Sequence, residues 1–370
     1  MATFLRNDIA SLTEVTPTYD LGESYGPDLR LADLLTPELG DLELGYGTAS
    51  GDLRLRTALA ERHGVRPDQV VTTVGGMHAI FLLAYLVAEG GGQVVTTAPL
   101  FPLARNSYES VGADVREIPV SFDDGYRLTV DHVRAHLTPD TKLVSLATPQ
   151  NPSGVEVSRE TLQQIVAVMS EICPDAYLMV DETYRTAAYG DDPIAETAVH
   201  LGSKVVVVAS LSKCHGAAGL RVGWLVSTDD ELVDQVVNAK FNTVVTGAPV
   251  TEALAVKVFE REDEILGVRR RWLADSLAVT DEWVRANQDL VEWVRPDAGA
   301  LCCIRVRPAV SLDAFRAATA ELSVRLADGD WFGDESRVFR LGFGFLPLVE
   351  LKAALDALAT ALRKAVHAAD

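Results

Sequence analysis

The chain has little cysteine, few basic residues relative to acidic ones, and no long apolar run. Four cysteines occur in 370 residues: Cys173, Cys214, Cys302 and Cys303. Their spacing fits neither a metal-ligand pattern nor a disulfide framework. Reduced, mostly structural thiols are therefore expected. Cys302 and Cys303 are adjacent in a strand-like run, so their side chains should point to opposite faces. Lysine and arginine total 33 against 53 aspartates and glutamates, a formal net charge of −20. A surface of that sign repels nucleic-acid phosphates and anionic membranes. No apolar run is long enough to span a bilayer, and the start, Met1-Ala2-Thr3-Phe4-Leu5-Arg6-Asn7-Asp8, lacks a signal-peptide core. A cytoplasmic location is expected. There is no internal repeat, low-complexity tract or charge block.

What is present is an ordinary enzyme-like composition, 48% hydrophobic and 23% charged, in a chain long enough for two domains. Strand and helix patterns alternate from about residue 70 to 230, as in a parallel sheet; residues 252–294 are mostly helical in pattern, and 296–306 reads as a strand of a smaller domain. Residues 204–209 are an apolar run that reads as a buried parallel strand. It leads into Ser210-Leu211-Ser212-Lys213, with Arg221 eight residues further on. A lysine at a strand edge among small residues is partly desolvated, which lowers its pKa and suits a Schiff base. Two hydroxyls and a guanidinium suit a phosphate. An aldehyde that also carries a phosphate points to pyridoxal phosphate.

The whole stretch, Ser210 through Gly219-Leu220-Arg221-Val222-Gly223-Trp224, resembles the lysine signature of class I/II aminotransferases. These are fold type I enzymes dependent on pyridoxal phosphate. The resemblance extends over roughly residues 20–365. It implies an α/β fold with a large domain, residues 43–265, built on a mostly parallel seven-stranded sheet flanked by helices. A smaller α+β domain would combine residues 1–42 and 266–370. It also implies a homodimer with shared active sites and a small-molecule amino acid substrate, with no nucleic acid, membrane or metal involved.

Residue roles follow from the same resemblance. Lys213 would hold pyridoxal phosphate as an internal aldimine and move the substrate's α-proton. Asp181, at the end of an apolar run, would keep the pyridine nitrogen protonated, and so sustain the electron sink. Tyr184 and Asn151 would contact the phenolic oxygen. Phe101 would stack on the ring, or else be plain core. Gly75, Gly76 and Met77, where a strand turns into a helix, would receive the phosphate together with Ser210, Ser212 and Arg221. Tyr46 would reach the partner subunit's phosphate; without the resemblance it is a turn aromatic. Arg340 would grip the substrate α-carboxylate, with Arg337 the competing candidate. Gly22 would line the substrate site. Glu23 could meet a cationic side chain or be a solvated loop carboxylate.

Three positions depart from the usual pattern: His215 after the lysine, Gln150 before Asn151, and Glu23 in a short N-terminal segment. His78 reads best as a packed histidine. The expected function is an α-amino-acid aminotransferase. The alternative is an elimination, cyclisation or oxidase-type reaction on an arginine-like substrate, as in the capreomycidine-synthase-like branch.

Overall fold

The computed structural model describes residues 4–189 and 195–367. In chain order the strands are β1 (Tyr19–Asp20), β2 (Val70–Val74), β3 (Gln93–Ala98), β4 (Asp114–Pro119), β5 (Thr141–Ala147), β6 (Tyr177–Asp181) and β7 (Val205–Ser210). They continue with β8 (Val222–Ser227), β9 (Val291–Val294), β10 (Leu301–Val306), β11 (Val324–Arg325), β12 (Ala327–Asp328) and β13 (Val338–Gly342). Seven of them form the large sheet in the order β2-β8-β7-β6-β5-β3-β4. β8 pairs antiparallel with both of its neighbours, and the other pairs are parallel.

This arrangement decides where the chemistry lands. Strands β2, β5, β6 and β7 run the same way, so the residues that follow them emerge at one edge. Because β8 runs the opposite way, its start lies at that same edge, which brings Arg221 to Ser210–Lys213. β7 can sit mid-sheet because Val205, Val206, Val207 and Val208 are β-branched and fully buried. Helix Gly75–Ala88 packs Ala79, Ile80, Leu82, Leu83 and Ala84 on one face of the sheet. Helix Arg159–Ile172 is capped by Ser158, whose hydroxyl accepts from the Thr161 amide, and covers the other.

A second, antiparallel sheet has the order β12-β13-β10-β9. It shares a separate core with helices Leu312–Glu321 and Leu348–His367. β1 pairs with β11, so the N-terminal segment joins this unit. The 25-residue helix Glu262–Ala286 packs against both cores. Cys302 lies in the second core and Cys303 in the first, so the two thiols face opposite ways as expected.

Residues 252–294, expected to be mostly helical, hold helices Pro249–Glu260 and Glu262–Ala286 and end in the strand Val291–Val294. The β-branched and aromatic residues there gain a full ladder with β10. The strand expected from Pro296 begins only at Leu301. Residues 296–300 form a turn instead, in which the amides of Asp297 and Ala298 donate to the Gly154 carbonyl.

Candidate active site

Lys213 lies three residues beyond β7 and is half-buried. Its Nζ donates to Ser24 Oγ at 3.0 Å and lies 4.9 Å from the centre of the Tyr25 ring. Burial pushes its pKa down to about 8; Glu23 opposes this, and Arg340 and Arg221 add to it. Asp181 ends β6, and its Oδ1 accepts from the Thr183 amide at 2.9 Å. Burial pushes its carboxyl up, while the Thr183 contacts and the Lys213 charge pull it back. A cation placed against it would hold it ionised.

Arg340, on β13, is 2% exposed. Its Nη1 donates to Asn151 Oδ1 at 2.9 Å and its Nη2 to the Gly22 carbonyl at 2.6 Å. Its Nε is buried and, among the described residues, has no hydrogen-bond partner. With the Asn151 oxygen engaged by Arg340, its amide NH2 is the end able to donate to a ligand. Phe101, Asn151 and Asp181 line one cavity. Tyr184 is buried with its hydroxyl beside that of Ser24, and burial raises its pKa while the Arg340 charge and Ser24 pull it back.

Gly75 opens its helix at φ 72°, and a Cβ there would lie 2.2 Å from Arg221 Nη2. Gly223 is as constrained, since its Cβ would meet Gly75 C at 2.4 Å. The first-turn amides of Gly75, Gly76 and Met77, the Ser210 and Ser212 hydroxyls and the Arg221 guanidinium thus converge. Arg221 Nη1 donates to Ser212 Oγ at 3.4 Å. This cradle, with the buried Tyr184 hydroxyl and the Asp181 carboxylate, fits the phosphate, phenolic oxygen and ring nitrogen of pyridoxal phosphate.

Other expected residues fall elsewhere. Arg337 donates to the carbonyls of Val306, Arg307 and Val310, so it closes a turn and is not turned to the cavity. Tyr46 is 88% exposed and makes none of these contacts within its own chain. His215 binds Glu262 Oε1 at 2.9 Å and lines a different cavity, with Trp224 and Phe259. Gln150 shapes its turn by donating to the Tyr126 carbonyl. His78 is tied to the Val74 amide and to Thr243. Glu23 is half-buried, and burial raises its pKa against the pull of Lys213 and Arg340. Glu182 pairs with Arg185. The sequence reading missed Ser24, Tyr25, Thr183 and Arg269. Ser24 and Tyr25 directly follow Glu23, but nothing local flags Arg269, which reaches the Lys213 carbonyl from 56 residues away.

The family model for aminotransferase class I and II matches residues 37–358. The chain belongs to that family. It is a pyridoxal-phosphate-dependent enzyme of the aminotransferase class. It is 29% identical to capreomycidine synthase of Streptomyces vinaceus over 93% of this chain and 87% of that one. It is 35% identical to valine–pyruvate aminotransferase of Mycobacterium tuberculosis, over 50% of this chain and 48% of that one. Among solved structures, a PLP-dependent aminotransferase from Streptococcus suis superposes with a TM-score of 0.89, at 25% identity, over 98% of this chain and 99% of that one. The PLP-dependent cyclase OrfR superposes with a TM-score of 0.84, at 26% identity, over 93% of each. Among the described residues, no helix is long and apolar enough to cross a membrane.

Proposed function

We propose that the chain transfers the amino group of an α-amino acid, with Lys213 as the proton-transfer group and Arg340 as the carboxylate clamp. The observation that carries this reading is the setting of Arg340. It is a buried guanidinium fixed by Asn151 and Gly22, its Nε is unpartnered among the described residues, and its charge is felt at Lys213. A planar fork held this way suits a carboxylate. It would orient the amino acid so that the α-hydrogen faces Lys213 Nζ.

When bound, pyridoxal phosphate supplies an electron-withdrawing ring that makes the α-hydrogen acidic. The Asp181 carboxylate would face the ring nitrogen and hold a proton there. Tyr184 Oη and the Asn151 amide would donate to the phenolic oxygen. Phe101 would cover the ring. Gly75, Gly76, Met77, Ser210, Ser212 and Arg221 would hold the phosphate. Lys213 Nζ, with a pKa near 8, can be neutral at a useful fraction near neutral pH and accept the α-proton.

The assembly we propose is a homodimer in the cytoplasm. Support comes from the exposed apolar side chains Leu44, Tyr46 and Leu53, which would be covered by a partner to which Tyr46 contributes. The four free, buried cysteines suit a reducing compartment.

The match to capreomycidine synthase along most of both chains favours a second reading, an elimination, cyclisation or oxidase-type outcome on an arginine-like amino acid. Glu23, a half-buried carboxylate near Lys213 and Arg340, would then meet the cationic side chain. One experiment separates the two. The purified enzyme is mixed with single amino acids without a 2-oxo acid, denatured, and its cofactor analysed by mass. Pyridoxamine phosphate with a matching 2-oxo acid establishes amino transfer and names the donor. Retained pyridoxal phosphate with a consumed or cyclised amino acid overturns it in favour of the second reading.

A further inference from the structure

The segment Glu23–Asp28 forms a strap across Lys213, and its placement is fixed from several sides. The Gly22 amide donates to Asp20 Oδ1 at 2.9 Å, and Asp20 is itself paired with Arg325. The Gly342 amide donates to the Leu21 carbonyl at 2.8 Å. The Glu23 carbonyl lies so close to Gly342 that a Cβ there would sit 1.6 Å from its oxygen. At the far end, the Leu29 amide donates to the Gly216 carbonyl at 2.8 Å.

Arg269 bolts this strap to the lysine loop. It is 8% exposed, and its Nη1 donates to the Pro27 carbonyl at 2.5 Å while Nη2 donates to the Lys213 carbonyl at 3.2 Å. Two glycines make room for the guanidinium. A Cβ at Gly26 would come within 2.9 Å of it and one at Gly216 within 2.5 Å. With the Leu29–Gly216 bond, this side chain holds the strap against the loop that carries the reactive lysine. What the strap delivers is Ser24, 3% exposed, with Oγ 3.0 Å from Lys213 Nζ. It also delivers the face of Tyr25, which is braced edge-on by Phe345 at 5.4 Å.

We propose that Ser24 is a further catalytic residue: its hydroxyl receives the free Lys213 amine and holds Nζ in place for proton transfer, with Arg269 as the positioning residue that sets this contact. The inference rests on the proposed role of Lys213 in amino transfer. A free lysine amine on a flexible four-carbon stem has many rotamers. A buried acceptor and an aromatic face together select one of them. Nothing assigned to Ser24 by the aminotransferase reading requires a hydroxyl there.

Two measurements test it on wild type, Ser24→Ala and Ser24→Thr. The first uses the chain stripped of cofactor and follows trinitrophenylation of Lys213 at pH 7 by peptide mass. The charged groups around Lys213, namely Glu23, Asp28, Asp181, Arg221 and Arg340, are the same in all three chains. Losing an acceptor for the charged amine lowers its pKa by about half a unit, so Ser24→Ala should label about threefold faster and Ser24→Thr at the wild-type rate. The second follows the cofactor spectrum of the holoenzyme in a single turnover with a donor amino acid. Ser24→Ala should slow the maximal rate about tenfold with little change in half-saturation, and Ser24→Thr should restore it. Equal labelling of wild type and Ser24→Ala overturns the proposal, as does a rate loss that threonine fails to restore. A wild-type enzyme that keeps its pyridoxal phosphate unconverted with every amino acid offered would overturn the amino-transfer reading instead, and the labelling result would still decide the Ser24–Lys213 contact.

Discussion

Replacing Lys213 with methionine should abolish the chemistry and yet make the cofactor-free chain more stable. The lysine pKa falls from an ordinary 10.5 to about 8, chiefly because its amine is buried. At 1.36 kcal/mol per unit, that shift corresponds to about 3 kcal/mol against the protonated form in the fold. The methionine chain gives up the bond to Ser24, about 1 kcal/mol, so the net gain should be about 2 kcal/mol. The sign fixes the pH dependence. Between about 8 and 10.5 the unfolded wild-type chain binds the lysine proton more tightly than the folded one does. Wild-type stability therefore rises with pH across that window, and the penalty is complete below it. The advantage of Lys213→Met should be full at pH 7 and gone by about pH 10, where the remaining penalty no longer exceeds the lost bond. Urea unfolding of both stripped chains at several pH values measures the gap. Lys240, also pushed down to about 8 by burial, titrates alike in both chains and cancels from the difference. A wild type as stable as Lys213→Met at pH 7, or a gap that ignores pH, would refute the reasoning.

Arg340→Ala should raise KM for every α-amino acid by about 100-fold, the cost of losing a charged clamp, and leave cofactor retention intact. Arg337→Ala should lower thermal stability without moving KM; the reverse pattern would transfer the clamp to Arg337. Asp181→Asn should cut kcat by about 100-fold or more with normal cofactor content, because a neutral amide cannot hold the ring nitrogen's proton. Tyr46→Ala and Lys213→Ala chains, each inactive or weak alone, should regain about a quarter of wild-type activity when co-refolded as mixed dimers. Absence of recovery would argue against a site completed by the partner subunit.

The large sheet was legible where its strands are apolar runs with a chemically distinctive end, as β5, β6 and β7 are. The buried valines of β7 lead directly to Ser210–Lys213, and β6 ends in Asp181. Glycine spacing worked at Gly75 because the turn and the close approach of Arg221 both forbid a side chain. Arg340 could be told from Arg337 only by its neighbours in sequence. The structure gives the physical reason, since alternate residues of β13 point opposite ways and Arg337 lies just before the strand. β9 was lost to the helical pattern before it because a four-residue strand shows too little periodicity and depends on its ladder with β10. Arg269 had no local signal at all. Its role exists only where residues 26–29, 213–216 and the long helix meet, and no window of sequence contains all three.

Cys302 and Cys303 are neighbours in the chain, yet each belongs to a different core. β10 is therefore a party wall, with one surface furnishing each room. Nature has placed two reporters back to back in it. A pulse of alkylating reagent during partial unfolding would mark Cys303 when the room behind the large sheet opens and Cys302 when the C-terminal one does. Since both marks fall on one peptide, a single mass spectrum would record which room opened first, or that neither opens without the other.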